Sequence, residues 1–344
     1  MKILITGGGG FIGSRLAAAL LERGQLGGKK IERIVLADQV APRAELTRDR
    51  RVEARVGALA EHCEALGREG FDGVFHLASA VSGECEADFD LGLRSNLDTT
   101  RALLDALRKA TGRGAAAARL VFSSSVAVFG PDPSVPLPAL VGDDTLTTPK
   151  TSYGTHKLVC EHLIADYSRK GFVDGRSARL MTVTVRPGRP NGAASSFFSG
   201  IVREPLAGVE AICPVSPDVS HPLTSAARTV EGLIAIYEVS VEQLGGRLAL
   251  NLPAVNATVA EMLAALEEVA GPEVRARVRF VRDETIAGIV ANWPRGATAK
   301  RAARLGLRAD PSFADIIRRY IADCRASPDA AQSLKGLAHQ ERHA

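Results

Sequence analysis

Tyr153 and Lys157 stand four residues apart in Ser152-Tyr-Gly-Thr-His-Lys157, which opens a segment of helical periodicity. Residues so spaced stack on one face of a helix, and this puts an ammonium beside a phenol. A phenol with a pKa of about 10 is a poor base at neutral pH. A fixed positive charge nearby favours the phenolate, so Tyr153 could carry a proton to and from a bound substrate with Lys157 as the tuning charge. An amphipathic helix with a solvated lysine has the same spacing. What separates the two readings is what else converges on the place. Arg119 to Gly130 reads Arg-Leu-Val-Phe-Ser-Ser-Ser-Val-Ala-Val-Phe-Gly, a buried strand that delivers three hydroxyls at its carboxyl end. Reacting groups gather at that end of the strands in open α/β sheets. The Ser125 hydroxyl could hold a substrate oxygen there while the tyrosine exchanges its proton, although serine triplets are also common in loops.

Such a site needs a sheet to carry it. Lys2 to Thr6 form a short apolar run, followed by Gly7 to Gly10 and then Phe11-Ile12-Gly13 and a helical pattern. Gly7, Gly10 and Gly13 match T-G-x-x-G-x-x-G, and Gly8 also offers G-x-G-x-x-G. Strand, glycine turn and helix together present backbone N–H groups to a pyrophosphate, whereas the glycines alone would suit any tight turn between packed elements. Ile34 to Asp38 read as the second strand. Asp38 ends it where a ribose-binding carboxylate is expected; it would accept ribose hydroxyls and repel a 2′-phosphate, which favours NAD over NADP. Asp38 as a helix cap is the plainer alternative, and Arg43 and Arg48 downstream could meet a phosphate. Val52 to Leu59 read as the third strand and Gly73 to Ser79 as the fourth, whose small Ala78 and Ser79 suit close approach by a cofactor. His76, inside that apolar run, reads as a packed core histidine.

Apolar residues make up 46% of the 344 and charged residues 24%, so the chain is a globular one long enough for a large core. The 43 basic and 39 acidic side chains leave a charge of only +4, scattered rather than striped, and 5% of residues are aromatic. Nucleic-acid binding is not suggested. No apolar run approaches a membrane span, and the chain opens on a strand pattern rather than a signal sequence, so a cytoplasmic protein without membrane contact is expected. Cys63, Cys85, Cys160, Cys213 and Cys324 are far apart and without a Cys-x-x-Cys pair; free thiols are expected, with no disulfide framework and no metal site.

The glycine set, Asp38, the Phe-Ser-Ser-Ser-Val-Ala-Val-Phe-Gly strand end and Tyr153-x-x-x-Lys157 together resemble the extended short-chain dehydrogenase/reductases, the group of NAD-dependent sugar epimerases and dehydratases. The resemblance covers the whole chain. Arg186-Pro-Gly-Arg-Pro-Asn191, the 194–201 segment, Arg203-Glu-Pro-Leu, Trp293-Pro and Phe313-Ala-Asp-Ile-Ile-Arg-Arg-Tyr look like its branch of sugar-acid dehydrogenases. It implies an α/β fold: a Rossmann doubly wound parallel sheet over 1–185, a smaller C-terminal α/β substrate lobe over 186–330 with some return to the core, and a flexible tail over 331–344. It also implies Tyr153 as general base, Lys157 on the nicotinamide ribose, Ser125 on the substrate hydroxyl and Ser124 near the cofactor. Phe11, Ile12, Ala78 and Pro187 complete the expected NAD contacts. Two departures stand out: Ala58 occupies the place of an acid that often touches adenine, and Phe129 that of a tyrosine some sugar-nucleotide enzymes use.

In the C-terminal half, Met181 to Arg186 read as the sixth strand, leading into a turn that should border the substrate. Arg189 and Arg203 are the cations best placed in sequence for an anionic substrate, because guanidinium binds carboxylate bidentately. His221 could line the same cleft or lie on the surface. Further strands are expected at Asn251 to Leu252 and Val274 to Val281, helices at Val259 to Val269 and Phe313 to Ile321, and fraying from about Ser327. Apolar stripes at Leu97, Thr100, Leu104 and Leu107, and at Tyr153, Cys160, Leu163, Ile164 and Tyr167, suit the homodimer contact the resemblance implies, or burial in the chain's own core. The resemblance implies NAD-dependent oxidation of a small anionic sugar acid such as D-erythronate at its 2-hydroxyl. A nucleotide-sugar epimerase or dehydratase shares every cofactor motif, and an NAD-binding scaffold would not need Ser125, Tyr153 and Lys157.

Overall fold

A computed structural model of the chain describes residues 1–188 and 194–337. Its centre is a seven-stranded sheet of β1 (Lys2–Thr6), β2 (Arg33–Asp38), β3 (Val52–Val56), β4 (Gly73–His76), β5 (Arg119–Ser125), β6 (Asp174–Leu180) and, returning late, Leu250–Asn251. The order is β3-β2-β1-β4-β5-β6 followed by Leu250–Asn251, and every pairing is parallel. Alternate residues of β1 face opposite layers and, after the exposed Lys2, all are buried, which is why Ile3 to Ile5 read as an apolar run. Ile3 and Ile5 pack with α1 (Phe11–Arg23) and the returning helix Ala226–Glu238. Leu4 packs with α2 (Leu59–Glu69), α3 (Thr99–Gly112) and α4 (Ser152–Arg169). Leu104, Leu107, Cys160 and Ile164 are absorbed by this layer, so the chain's own core accounts for most of the two helical stripes.

The strand order reverses between β1 and β4, and ligands bind open α/β sheets in the crevice at such a point. The smaller lobe is built round α5 (Ser196–Leu206), α6 (Val259–Ala270) and α7 (Phe313–Arg325), whose apolar faces share one core. Two short sheets edge it: Ala211–Cys213 with Val278–Phe280, and Thr182–Val183 with Ser220–Thr224 and Val255–Thr258. Among the described residues no helix is long and apolar enough to cross a membrane.

Four expectations need correction. The strand beside β5 is Asp174–Leu180, not Met181 to Arg186, of which only Thr182–Val183 is strand. Its arginines disguise it. Arg176, fully buried, donates to the carbonyls of Ile236, Tyr237 and Val239 at the end of the returning helix and pairs with Asp174. Arg179 forms a buried bidentate pair with Glu161, at 2.9 and 2.8 Å. Satisfied buried charge makes a central strand read as polar. The third strand stops at Val56, because the chain turns at Gly57 and Leu59 opens α2. Pro272 starts a helical turn, which leaves only Val278–Phe280 as strand. The chain from Ser327 to Leu337 docks: Gly336 N donates to the Leu206 carbonyl at 2.8 Å, and Leu334 and Leu337 pack on the lobe core, while 338–344 of the expected flexible tail lie outside the described residues.

Candidate active site

Helix α4 lands directly on the end of β5. A Cβ on Gly154 would lie 2.1 Å from the Ala127 carbonyl oxygen, so only glycine permits that seating. The Thr151 hydroxyl accepts from Gly154 N at 3.0 Å, and the Glu86 carboxylate accepts from Ser152 N at 2.7 Å, which satisfies two of the helix's free N–H groups. The landing brings Tyr153, Lys157 and Ser123 to Ser125 onto one wall of a cleft. Lys157 is buried; its ammonium donates to the Ser123 carbonyl at 2.8 Å and lies 4.8 Å from the Phe122 ring and 5.5 Å from the Tyr153 ring. Among the described residues no carboxylate lies within 4 Å of it. The Ser125 oxygen accepts from Ala127 N at 3.1 Å, which leaves its hydrogen for another partner.

The same cleft runs on to the glycine turn. A Cβ on Gly13 would sit 2.0 Å from the Gly7 carbonyl oxygen, so α1 reaches the turn only with glycine there. A Cβ on Gly10 would meet just that oxygen, at 3.2 Å, so its outer side is open to a ligand. Asp38 accepts from Gly9 N at 2.9 Å, Gly10 N at 3.2 Å and Val40 N at 3.2 Å, which holds its carboxylate at the lip of the turn. Gly7, Gly10, Phe11, Ile12, Gly13, Asp38 and Ala78 all line the cleft. Its volume of about 2240 Å³ exceeds the roughly 300–1,000 Å³ of a drug-sized site and leaves room for a dinucleotide with a small substrate. The open cradle, the carboxylate at its lip and the buried ammonium without a carboxylate partner fit NAD. Ala58, Leu59, Ala60 and Val40 make the far end apolar, with Gln39 beside them.

Other residues singled out from the sequence fall differently. Ser124 lines the cleft, where it is buried and its hydroxyl donates to Glu161, which ties it to the Glu161–Arg179 pair. Pro187 is exposed and is not among the residues lining the cleft. Arg203 is buried, donating to the Arg186 carbonyl at 2.7 Å and pairing with Glu204 at 2.5 Å, so it supports the wall instead of facing a substrate. Arg189 lies outside the described residues. Arg186, not singled out from the sequence as a substrate cation, is on the cleft wall, which Arg94, Lys150 and Arg282 also line. Its position three residues past the short strand Thr182–Val183 was the available signal. Arg186 donates to the Val183 carbonyl at 3.0 Å and to Ser195 at 3.4 Å. Burial holds its pKa below the usual guanidinium value, and the Arg203 charge adds to this, while Tyr153 is near enough to act against both.

His76 and His221 are both buried and neutral. His76 joins the hydroxyls of Thr6 at 2.7 Å and Thr100 at 2.8 Å, and burial, with the charge of Lys157, pushes its pKa down to about 3. Burial pushes that of His221 down to about 4, with the Pro294 carbonyl acting against it. Both values lie below the unfolded value of about 6.5, so acid protonates the unfolded chain first. The stability these two contribute is complete above pH 6.5 and is lost as pH falls toward 3 to 4. Each then removes about 1.4 kcal/mol per pH unit. Denaturant midpoints measured from pH 7 to pH 4.5 should fall accordingly, and His76→Asn should flatten the slope; an unchanged slope would mean that His76 is not held neutral.

Residues 3–219 match the NAD dependent epimerase/dehydratase family. Over 331 residues, 94% of this chain and 98% of the relative, the chain is 47% identical to a D-erythronate dehydrogenase of Cupriavidus necator. It is 41% identical over 323 residues to a D-erythronate dehydrogenase of Haemophilus influenzae, covering 93% and 99% of the two chains. The crystal structure of a nucleoside-diphosphate-sugar epimerase from Agrobacterium tumefaciens superposes with a TM-score of 0.89 at 45% identity, covering 94% of each chain. A strand, glycine cradle and carboxylate at one end of the cleft, with serine, tyrosine and lysine at the other, agree with these matches. The chain belongs to the NAD-dependent epimerase/dehydratase family.

Proposed function

We propose that this protein oxidises a small sugar acid at its 2-hydroxyl with NAD, converting D-erythronate to the corresponding 2-oxo acid. The observation that carries the reading is that its likeness to two dehydrogenases of that name extends through the substrate lobe as well as the cofactor half. Tyr153 takes the proton of the 2-hydroxyl as the C–O single bond becomes a carbonyl, while Ser125 donates its free hydrogen to that oxygen. Lys157 holds its ammonium 5.5 Å from the Tyr153 ring, on the same wall of the cleft. NAD, when bound, supplies the acceptor for the hydride that leaves C2. Arg186 is the cation we assign to the substrate carboxylate, because it is on the cleft wall near Tyr153 and among the described residues has no carboxylate within 4 Å.

The test is to mix the purified protein with NAD and both enantiomers of erythronate and of threonate, following absorbance of the reduced nicotinamide. Reduction with D-erythronate is the expected result. The Agrobacterium match favours a second reading, a nucleotide-sugar epimerase. Silence across the panel, with NAD carried through purification, would favour it.

We also propose a cytoplasmic homodimer. The five cysteines are free, as a reducing compartment allows. Leu97, Leu163 and Tyr167 remain partly buried at the edge of the core, and Val159 is exposed on α4. Light scattering coupled to size exclusion should give twice the monomer mass; a monomer at micromolar concentration would refute the dimer.

A further inference from the structure

Thr182 and His221 form a polar spot on the cleft wall that the reaction above does not use. Thr182 lies two residues past Leu180, the β6 residue in register with Ser125, so it stands just beyond the reacting end of the site. His221 is buried, its ring stacked on Phe198 at 5.1 Å and against Trp293 at 5.3 Å. Its Nδ1 lies 3.1 Å from the Pro294 carbonyl oxygen and its Nε2 lies 2.7 Å from the Thr182 hydroxyl. A carbonyl can only accept, so Nδ1 carries the proton. Burial keeps the ring neutral, so Nε2 is left as an acceptor, and Thr182 must donate to it. The threonine oxygen then has no hydrogen to offer the cleft. It presents lone pairs alone.

We infer that Thr182, oriented by His221, accepts a hydrogen bond from a substrate hydroxyl beyond the reacting carbon, so that the wall selects a polyhydroxy acid over a plain 2-hydroxy acid. The inference rests on the sugar-acid reading and names the group that recognises the sugar part. Thr182 is a binding residue in this scheme and His221 a positioning residue. A hydroxyl fixed as an acceptor gains from a donor on the ligand and leaves an alkyl group unrewarded, which is how a site built for a hydroxyl discriminates.

Four proteins test it on D-erythronate: wild type, Thr182→Val, His221→Phe and the double variant, with Thr182→Ser as a control. Valine keeps the shape of threonine, and phenylalanine keeps the stacking between Phe198 and Trp293. Each single variant should lose about tenfold in kcat/KM, mostly through KM, and the double variant should lose little more than either one, because both remove the same contact. Thr182→Ser should stay near wild type. Losses that multiply to about a hundredfold in the double variant would make His221 merely structural and overturn the relay. If His221→Phe does not fold, Thr182→Val and Thr182→Ser behaving alike would overturn the contact by themselves. A wild-type protein inactive on all sugar acids overturns the functional reading and this role together, whereas an active wild type with an unaffected Thr182→Val overturns the inference alone.

Discussion

Tyr153→Phe should lower kcat on the sugar acid by about 10³-fold, within the 10²–10⁴-fold range for loss of a positioned acid–base group. The substitution removes one oxygen and leaves the ring that packs beside the Lys157 ammonium. Cofactor affinity, read by quenching of protein fluorescence, should therefore change little, and so should the melting temperature. The split matters, because a loss of folding would lower every readout at once. Turnover within tenfold of wild type would remove Tyr153 from the chemistry and leave the Ser125 side of the cleft to be explained another way.

Gly154→Ala should damage both stability and catalysis. Alanine is the better helix former by about 1 kcal/mol. Against that, its methyl would sit 2.1 Å from the backbone oxygen of Ala127, in the tight helical turn Val126–Val128 that follows β5. Overpacking of this kind costs about 3 kcal/mol, so the collision wins and the start of α4 must lift. Tyr153 precedes this glycine directly, and a displacement of about 1 Å costs about 10²-fold in rate. A melt several degrees lower, with kcat down about a hundredfold, is the expected pair of results. An alanine variant with the melting curve and turnover of the wild type would show that the helix does not depend on this contact.

The cofactor half was legible because its signals are local. The glycine turn, Asp38 and the serine-bearing strand each depend on a few neighbouring residues, and the structure sets all of them along one cleft. Tyr153 and Lys157 were legible for the same reason, being one helical turn apart. The sixth strand was not: Arg176 and Arg179 are satisfied by residues far along the chain, and a sequence window cannot see Glu161 or the carbonyls of 236 to 239. The partners of Ser124 and Arg203 were hidden in the same way: Ser124 lines the cleft as expected but gives its hydrogen to Glu161, and Arg203 gives its own to the Arg186 carbonyl. Arg186 was overlooked because strand position, rather than residue type, separates it from Arg203. The docking of the tail through Gly336 is likewise nonlocal, and a polar composition does not forbid it.

Arg176 marks a further consequence. It ties the returning helix to the amino-terminal end of β6, while the cleft opens at the carboxyl end of the same strands. Removing it would take this partner from the Ile236 and Val239 carbonyls, while Arg119 still serves that of Tyr237, at a cost of a few kcal/mol. None of that touches the reacting groups. In a cell, such a variant would reveal itself as scarcity: fewer molecules surviving quality control, each one that survives working at its full rate.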